Sequence, residues 1–330
     1  MITQEQIARK LGVSRQLVTF ALAGYPQVSE ASRRRILAAA RELGYRPNPH
    51  ARALKRRRTG IVALWVPDQI SSHYNQVARE MNRLVKQAGH ELITSAVMTA
   101  EAGEVLSHVP VDGVFAVDAP CQAAAYLASA QAVVAPLINM GAECCEGADN
   151  VVVDLASGTS QLMEHLLGCG FRRIAHMTYV RDDRPKEARR MEYLRAMRRA
   201  GLKAEFIYYP LSEQQRGIAR QLIQDYVRER GCPEAIFCHS DDVAIGVYRG
   251  LLDMGISVPQ QVALAGCDGI PDTEFLERPL TTLVQPVVAM CAAAWQLFQQ
   301  RQQCPKSKRQ QVILKPKLQL RESTGWRAAV

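Results

Sequence analysis

Along the first 45 residues, apolar positions recur every three or four places in three short runs, each bracketed by residues that start and stop helices. Thr3 and Gln6 make a capping box for the first run, Ile7, Ala8 and Leu11 give it one face, and Gly12 ends it. Ser14 caps the second, whose buried stripe is Val18, Ala21 and Leu22, and Gly24 stops it. Only Gly12-Val13 separates the two, and Ala8, Gly12 and Val18 are spaced as a close helix crossing requires. A third helix runs from the cap Ser29 through Ile36, Ala40 and Leu43 to Gly44. This is an all-α head.

From Gly60 the pattern changes to β-rich apolar runs alternating with helical stretches. Strands are predicted over 60–66, 90–97, 111–117, 133–138, 151–153, 173–179, 234–238 and 262–265, and helices over 73–88, 155–167, 188–200 and 243–254. Such alternation marks parallel sheets with helical crossovers, and 271 residues suit two lobes with a ligand cleft at the strand ends. The predicted division is a head at 1–46, a linker at 47–59 and an α/β two-lobed domain at 60–330. Its first lobe takes about 60–153 plus 285–312, its second about 154–284 plus 313–330. Trp295, in the stripe Ala292-Ala293-Ala294-Trp295-Gln296-Leu297-Phe298, reads as core.

Charge changes what the head is for. Residues 1–59 hold 13 Lys and Arg against 3 Asp and Glu, whereas residues 60–330 hold 28 against 29. A basic, helix-forming segment on a neutral body suits phosphate neutralisation by counterion release, and so double-stranded DNA as partner. Packing on Val18 and Leu22 turns Arg15, Gln16 and Thr19 outward at the start of the second helix, the end that enters the major groove in helix-turn-helix proteins. Arg bridges guanine O6 and N7 and Gln pairs with adenine, so these side chains suit base-edge readout.

The nine cysteines are odd in number and scattered, with no CxxC or Cys/His ligand spacing, and read as reduced core residues. The neighbours Cys144-Cys145 leave a redox or metal alternative open. No cofactor and no metal is expected. No apolar run approaches the ~20 residues that span a bilayer, and the first ten residues lack the order of a secretory signal, so the expected location is the cytosol, away from membranes.

The run Ile7-Ala8-Arg9-Lys10-Leu11-Gly12-Val13-Ser14, then Val28-Ser29-Glu30, Leu43-Gly44-Tyr45-Arg46-Pro47-Asn48 and Pro49-His50-Ala51-Arg52-Ala53-Leu54, resembles the lactose/galactose repressor family of bacterial transcription regulators. The resemblance implies a DNA-binding surface of Ser14, Arg15, Gln16, Thr19, Phe20 and Ser29. It also implies a hinge helix in which Leu54 wedges into the minor groove of a palindromic operator, flanked by Asn48, Arg52 and Lys55. Where family members carry Ser-Arg late in the recognition helix, this chain has Thr19-Phe20, and Phe20 either touches a thymine methyl or turns into the core.

The resemblance continues in Val111-Asp112-Gly113, Gly170-Phe171-Arg172-Arg173-Ile174-Ala175, Ala244-Ile245-Gly246 and Leu280-Thr281-Thr282, and implies lobes like those of periplasmic sugar-binding proteins. Arg189, Asp241 and Asp268 match the family's effector-binding residues. Ser240 replaces the usual asparagine, Tyr74 matches a cleft aromatic, Asn139 stands where many members have aspartate, and Glu192 replaces a glycine. Carboxylates and a guanidinium suit a polyol, because Asp accepts hydroxyl hydrogens and Arg donates a fork. The resemblance thus implies a homodimer, with a tetramer left open, that regulates transcription under control of a sugar-like small molecule. A protein corepressor in place of the small molecule, an architectural DNA binder and a sugar-acting enzyme are the alternatives. Against the enzyme, no nucleotide-binding, hydrolase or metal-protease motif occurs, and His176 and His239, at predicted strand ends, are unpaired with any second histidine at metal spacing.

Overall fold

The structure, a computed structural model, describes residues 2–45, 58–68, 70–97, 110–129, 132, 135–179, 187–210 and 214–325. The chain divides into a small helical unit, residues 1–59, and a large α/β unit, residues 60–330.

The small unit holds α1 (Gln4–Leu11), α2 (Arg15–Leu22) and α3 (Glu30–Glu42). Thr3 and Gln6 close the reciprocal capping box, and Gly12 ends α1 in the left-handed conformation at φ 63°, which only glycine adopts freely. One residue of turn later, Ser14 Oγ accepts from the Leu17 amide at 3.1 Å and restarts the helix. Ile7, Ala8, Val18, Ala21, Ile36 and Ala40 bury the shared core. Arg35 and Lys10 tie α3 to α1, through the Leu11 carbonyl at 3.1 Å and the Glu42 carboxylate at 2.6 Å.

In chain order the large unit runs β1 (Ile61–Val66), α4 (Ser72–Gln87), β2 (Glu91–Ala96), β3 (Val114–Val117), α5 (Pro120–Leu127), β4 (Leu137–Gly141), β5 (Asp149–Val153), α6 (Leu155–Gly168), β6 (Ile174–Tyr179) and α7 (Ala188–Arg199). It continues with β7 (Glu205–Tyr209), α8 (Gln215–Arg230), β8 (Ala235–Cys238), α9 (Asp241–Asp253), β9 (Ala263–Asp268), β10 (Thr281–Val284), α10 (Val287–Gln303), β11 (Gln311–Leu314) and β12 (Lys317–Gln319). Two six-stranded sheets result, ordered β11-β5-β4-β3-β1-β2 and β12-β10-β9-β8-β6-β7. Every pairing is parallel except β10 with β12. Strands buried on both faces need continuous apolar runs, and β1, β3, β8 and β9 supply them.

The chain passes between the lobes after β5, after β10 and after β11. The third passage lies later than the apolar pattern predicted: Ile313 and Leu314 remain in register with Val152 and Val153, so the chain leaves the first lobe at Lys315-Pro316 and not at residue 313. The predicted strand over 133–138 lies at Leu137–Gly141, and residues 133 and 134 are outside those described. α10 returns to the first lobe, where Trp295 stacks on Phe115 at 5.9 Å and Phe298 meets Phe115 edge-on at 5.4 Å. The cysteines are a partial correction to the core reading: Cys145, Cys238, Cys267 and Cys291 are buried, but Cys121, Cys144 and Cys304 are exposed. Among the described residues no group of three or more His, Cys, Asp or Glu could hold a metal ion, and no helix is long and apolar enough to cross a membrane.

Candidate functional site

In the small unit, burial of Val18 and Ala21 leaves Arg15 and Gln16 exposed on the first turn of α2. Ser14 and Ser29 are both exposed helix caps, accepting from the Leu17 and Ser32 amides. Thr19 is half-buried, with its hydroxyl 2.9 Å from Gln4 Oε1 and 3.0 Å from the Arg15 carbonyl, so it buttresses the α1–α2 crossing. Phe20 packs against the head core and meets Tyr25 edge-on at 5.2 Å. Of the two readings of Phe20, the inward one describes its packing. Asn48, Arg52, Leu54 and Lys55 lie outside the described residues.

The large unit has a cleft between its lobes, about 790 Å³ of space open to solvent. It lies at the carboxyl ends of the strands, where the two sheets run out and the side chains of the connecting turns converge. Of the residues expected to hold an effector, Tyr74, Arg189, Ser240 and Asp268 line it. Tyr74 rises from the first turns of α4, with its hydroxyl 3.4 Å from Asp118 Oδ2, and burial and Asp118 push its phenol well above the ordinary value. Ser240 caps α9, accepting from the Val243 amide at 3.3 Å. Asp268 ends β9 at φ 126°, accepting from Gln285 Nε2 at 2.9 Å.

Arg189 is buried on the first turn of α7, and its fork is largely committed inside the protein. Nε donates to Glu187 Oε1 at 2.7 Å, Nη1 to the His239 carbonyl at 3.0 Å and to Cys267 Sγ at 3.7 Å, and Nη2 lies 2.8 Å from His239 Nε2. Burial works against the charge of Glu187, but Arg189 and then His239 hold its carboxyl well below the usual range.

Two predicted effector residues are elsewhere. Asp241 is fully buried and absent from the cleft wall. Its Oδ2 accepts from the Gly269 and Ile270 amides at 2.7 and 2.9 Å and its Oδ1 from Thr282 Oγ1 at 2.7 Å, so it fixes the turn that presents Asp268. Its carboxylate lies against Gly266, where a Cβ would overlap it. Burial, and then repulsion from Asp268, push its carboxyl upward. Asn139 is also withdrawn: its Nδ2 donates to the Glu143 carbonyl at 2.7 Å and to Asn150 Oδ1 at 2.9 Å, and Asn150 in turn grips Cys145 and Ala148. The pair shapes the loop that carries Ala142 and Glu143 to the cleft.

The residue that sequence reasoning missed is Asp118. It follows β3 at φ 47°, lines the cleft and accepts from the Ala142 amide at 2.8 Å. A left-handed non-glycine costs of order 1–3 kcal/mol and persists where surroundings over-determine it, commonly at functional sites. Asp118 and Asp268 thus mirror one another, each held at positive φ at the end of a central strand of its lobe. His239 reaches the cleft as its strand end suggested, but His176 does not: it is buried, stacked on Phe237 at 4.6 Å, and held neutral by burial, its pKa lowered to about 4.

A basic helical head with exposed donors on its second helix, joined in one chain to a cleft between two parallel-sheet lobes, defines a ligand-responsive DNA-binding protein. Residues 3–48 match the model of bacterial regulatory proteins of the lacI family, and residues 163–324 that of the periplasmic binding protein-like domain. The ribose operon repressor of Escherichia coli strain K12 is 28% identical over 333 residues, covering 98% of this chain and 100% of that protein. The lac repressor dimer bound to operator and an anti-inducer has the same fold, with a TM-score of 0.81 at 20% identity over 98% of this chain and 99% of that one. A lacI-family regulator from Enterococcus faecium with bound ribose matches with a TM-score of 0.72 at 22% identity, over 80% of this chain and 98% of its own. The chain thus joins a DNA-binding head that matches the lacI family to a periplasmic binding protein-like effector domain, and it is a DNA-binding transcription regulator, not an enzyme.

Proposed function

We propose that the head reads operator DNA through Arg15 and Gln16, and that the interlobe cleft takes a small hydroxylated effector, a sugar or sugar derivative, whose occupancy sets operator affinity. Ser14 and Ser29, as exposed caps, face phosphates; Thr19 and Phe20 hold the second helix in position. Asn48, Arg52, Leu54 and Lys55 form the hinge, Leu54 unstacking a base step as a wedge. The working unit is a cytoplasmic homodimer on a pseudo-palindrome with half-sites about one helical turn apart.

The observation that carries the effector reading is the pair Asp118 and Asp268, one strand-end aspartate from each lobe facing one cleft. A ligand held by both couples its binding to the lobe arrangement. The whole-length relation to a ribose operon repressor supports a sugar-type ligand.

The test has two arms. An operator is selected from a random duplex library, and Arg15→Ala is measured on it. The expected loss is ~1–3 kcal/mol with relaxed preference at one position per half-site. Equal losses on selected and random DNA would assign Arg15 to the phosphate backbone. In parallel, sugars, polyols and nucleobases are screened by thermal shift, where ligand at 100 times its Kd adds about 2.7 kcal/mol to stability. A hit that shifts Asp268→Ala as much as the parent removes the cleft from the effector reading.

A further inference from the structure

His73 stands second in α4 and lines the interlobe cleft, yet it is only 4% exposed, and its buried Nδ1 has no hydrogen-bond partner among the described residues. Native proteins pair nearly all such atoms, with protein groups or with water. Its neighbours place it where the lobes meet. Ser72, one residue before, bonds Asp242 of the second lobe through its amide and its hydroxyl, both at 2.9 Å. Tyr74, one residue after, meets the His73 ring edge-on at 5.3 Å and reaches Asp118 of the first lobe. Burial lowers the imidazole below its ordinary value; Asp118 opposes this, and Arg189 of the second lobe adds to it. The ring is therefore uncharged, with one nitrogen that donates and one that accepts.

We propose that His73 makes closure of the lobes conditional on the effector: closing an empty cleft strips water from Nδ1 without replacing it, and a ligand hydroxyl at that nitrogen removes the penalty. The inference rests on the reading of the cleft as the effector site. Opening the lobes lets water back to the ring, so the unmet nitrogen opposes the closed arrangement alone. An unmade hydrogen bond of a buried group shifts a two-state equilibrium by roughly tenfold. The bonds from Ser72 to Asp242 favour closure, so neighbouring residues of one helical turn pull in opposite directions. That keeps the empty protein near balance, where the differential affinity of a ligand moves the populations most. A hydroxyl meets Nδ1 in either tautomer because it both donates and accepts, whereas an ammonium only donates and a carboxylate only accepts. The effector therefore brings a hydroxyl to the first turn of α4.

The full chain is compared with His73→Leu, an apolar side chain of similar size, and with His73→Asn, whose amide keeps a polar group near the place of Nδ1. Without ligand, His73→Leu is expected to melt about 2 °C or more above the parent, the shift that relief of one stranded polar group makes in a unit of this size. Its radius of gyration in small-angle scattering is expected to be smaller than the parent's, whereas His73→Asn keeps the parent value. Calorimetry with D-ribose, D-xylose, D-glucose and D-galactose follows. A sugar that binds the parent is expected to bind His73→Leu about tenfold more weakly, because its hydroxyl loses a partner. The compaction that the sugar produces in the parent is expected to be largely absent from His73→Leu. A lower melting point for His73→Leu would show that the nitrogen is already satisfied, and overturns the proposal. A free His73→Leu no more compact than the parent overturns it even with a higher melting point, since a merely stranded atom would raise stability without moving the lobes. Equal sugar affinity in parent and His73→Leu overturns it too. If Asp268→Asn abolishes that binding, the cleft still stands as the effector site; if Asp268→Asn leaves it intact, the cleft reading falls as well.

Discussion

Two adjacent-seeming aspartates of the second lobe do opposite work, and the contrast is measurable. Asp241 accepts three hydrogen bonds from buried donors, so Asp241→Ala strands the Gly269 and Ile270 amides and the Thr282 hydroxyl. Leaving buried donors unmade costs ~1–3 kcal/mol each, and denaturant unfolding should show a loss of several kcal/mol. Asp268→Asn retains an acceptor for Gln285 at a φ that asparagine tolerates, and removes a carboxylate that burial disfavours. It should unfold within ~1 kcal/mol of the parent while losing effector response. Comparable destabilisation by both would dissolve the distinction. Glu187 gives the pH dependence. Its carboxyl is depressed by Arg189, so its contribution is fully present above the ordinary value of 4.5 and is lost as pH falls through its lower folded value. Glu187→Gln leaves Arg189 buried with a weaker partner, at a cost of ~3–5 kcal/mol at neutral pH. The gap between parent and variant should narrow below pH 4.5, and a constant gap down to acid unfolding would contradict the pairing.

At the scale of elements, α9 packs on α8 through glycines. A Cβ on Gly246 would overlap the Arg216 carbonyl, and one on Gly250 would lie 2.6 Å from the Arg220 carbonyl. Alanine is the better helix former by about 1 kcal/mol, yet Gly246→Ala should destabilise by ~1–3 kcal/mol because a backbone carbonyl cannot yield as a side chain can. A more stable variant in chemical unfolding would show that the helices part easily. Helices with end signals were legible in the chain: Thr3, Ser14 and Ser29 cap where their side chains announce it, and Gly12 stops α1. α8 and β7 were not assigned. The apolar stripe of α8, Ile218, Leu222, Ile223 and Tyr226, is diluted by arginines, and β7 is an edge strand whose burial alternates weakly. For the site, Asp268 was legible through the family resemblance, a few residues past a predicted strand. A polar residue directly after the predicted strand 111–117 and before the helix-starting Pro120 would have pointed to Asp118. Asn139 and Asp241 misled because chemistry suited to a ligand is equally suited to holding a buried turn, and only the fold tells which groups face the cleft.

For the whole molecule, a polar cluster ties the two lobes across the cleft mouth. Asp242, buried at the start of α9, accepts from the Ser72 amide and hydroxyl at the start of α4, both at 2.9 Å. Arg216 of α8 joins them, its Nη2 2.7 Å from Asp242 and 3.1 Å from Ser72 Oγ. Ser72 comes from one lobe and the carboxylate and guanidinium from the other, so separating the lobes must break the three bonds to Ser72 together while the Arg216–Asp242 pair stays within its lobe. Three chain crossings act as the hinge, and the clasp opposes opening at the far side. Hydrogen bonds to a charged group contribute ~1.5–3 kcal/mol, partly repaid by water on opening. Removing the carboxylate by Asp242→Ala should therefore shift the lobes towards an open arrangement and weaken a ligand that needs them closed by roughly tenfold, the response of a binding-competent state made less populated. Asp242→Asn, which still accepts from Ser72 but loses the pairing with Arg216, should fall between parent and Ala. Small-angle scattering of the free protein should report a larger radius of gyration for Asp242→Ala, returning to the parent value when ligand saturates. If scattering and ligand affinity are both unchanged, closure is set by the hinge strands and the clasp merely accompanies it.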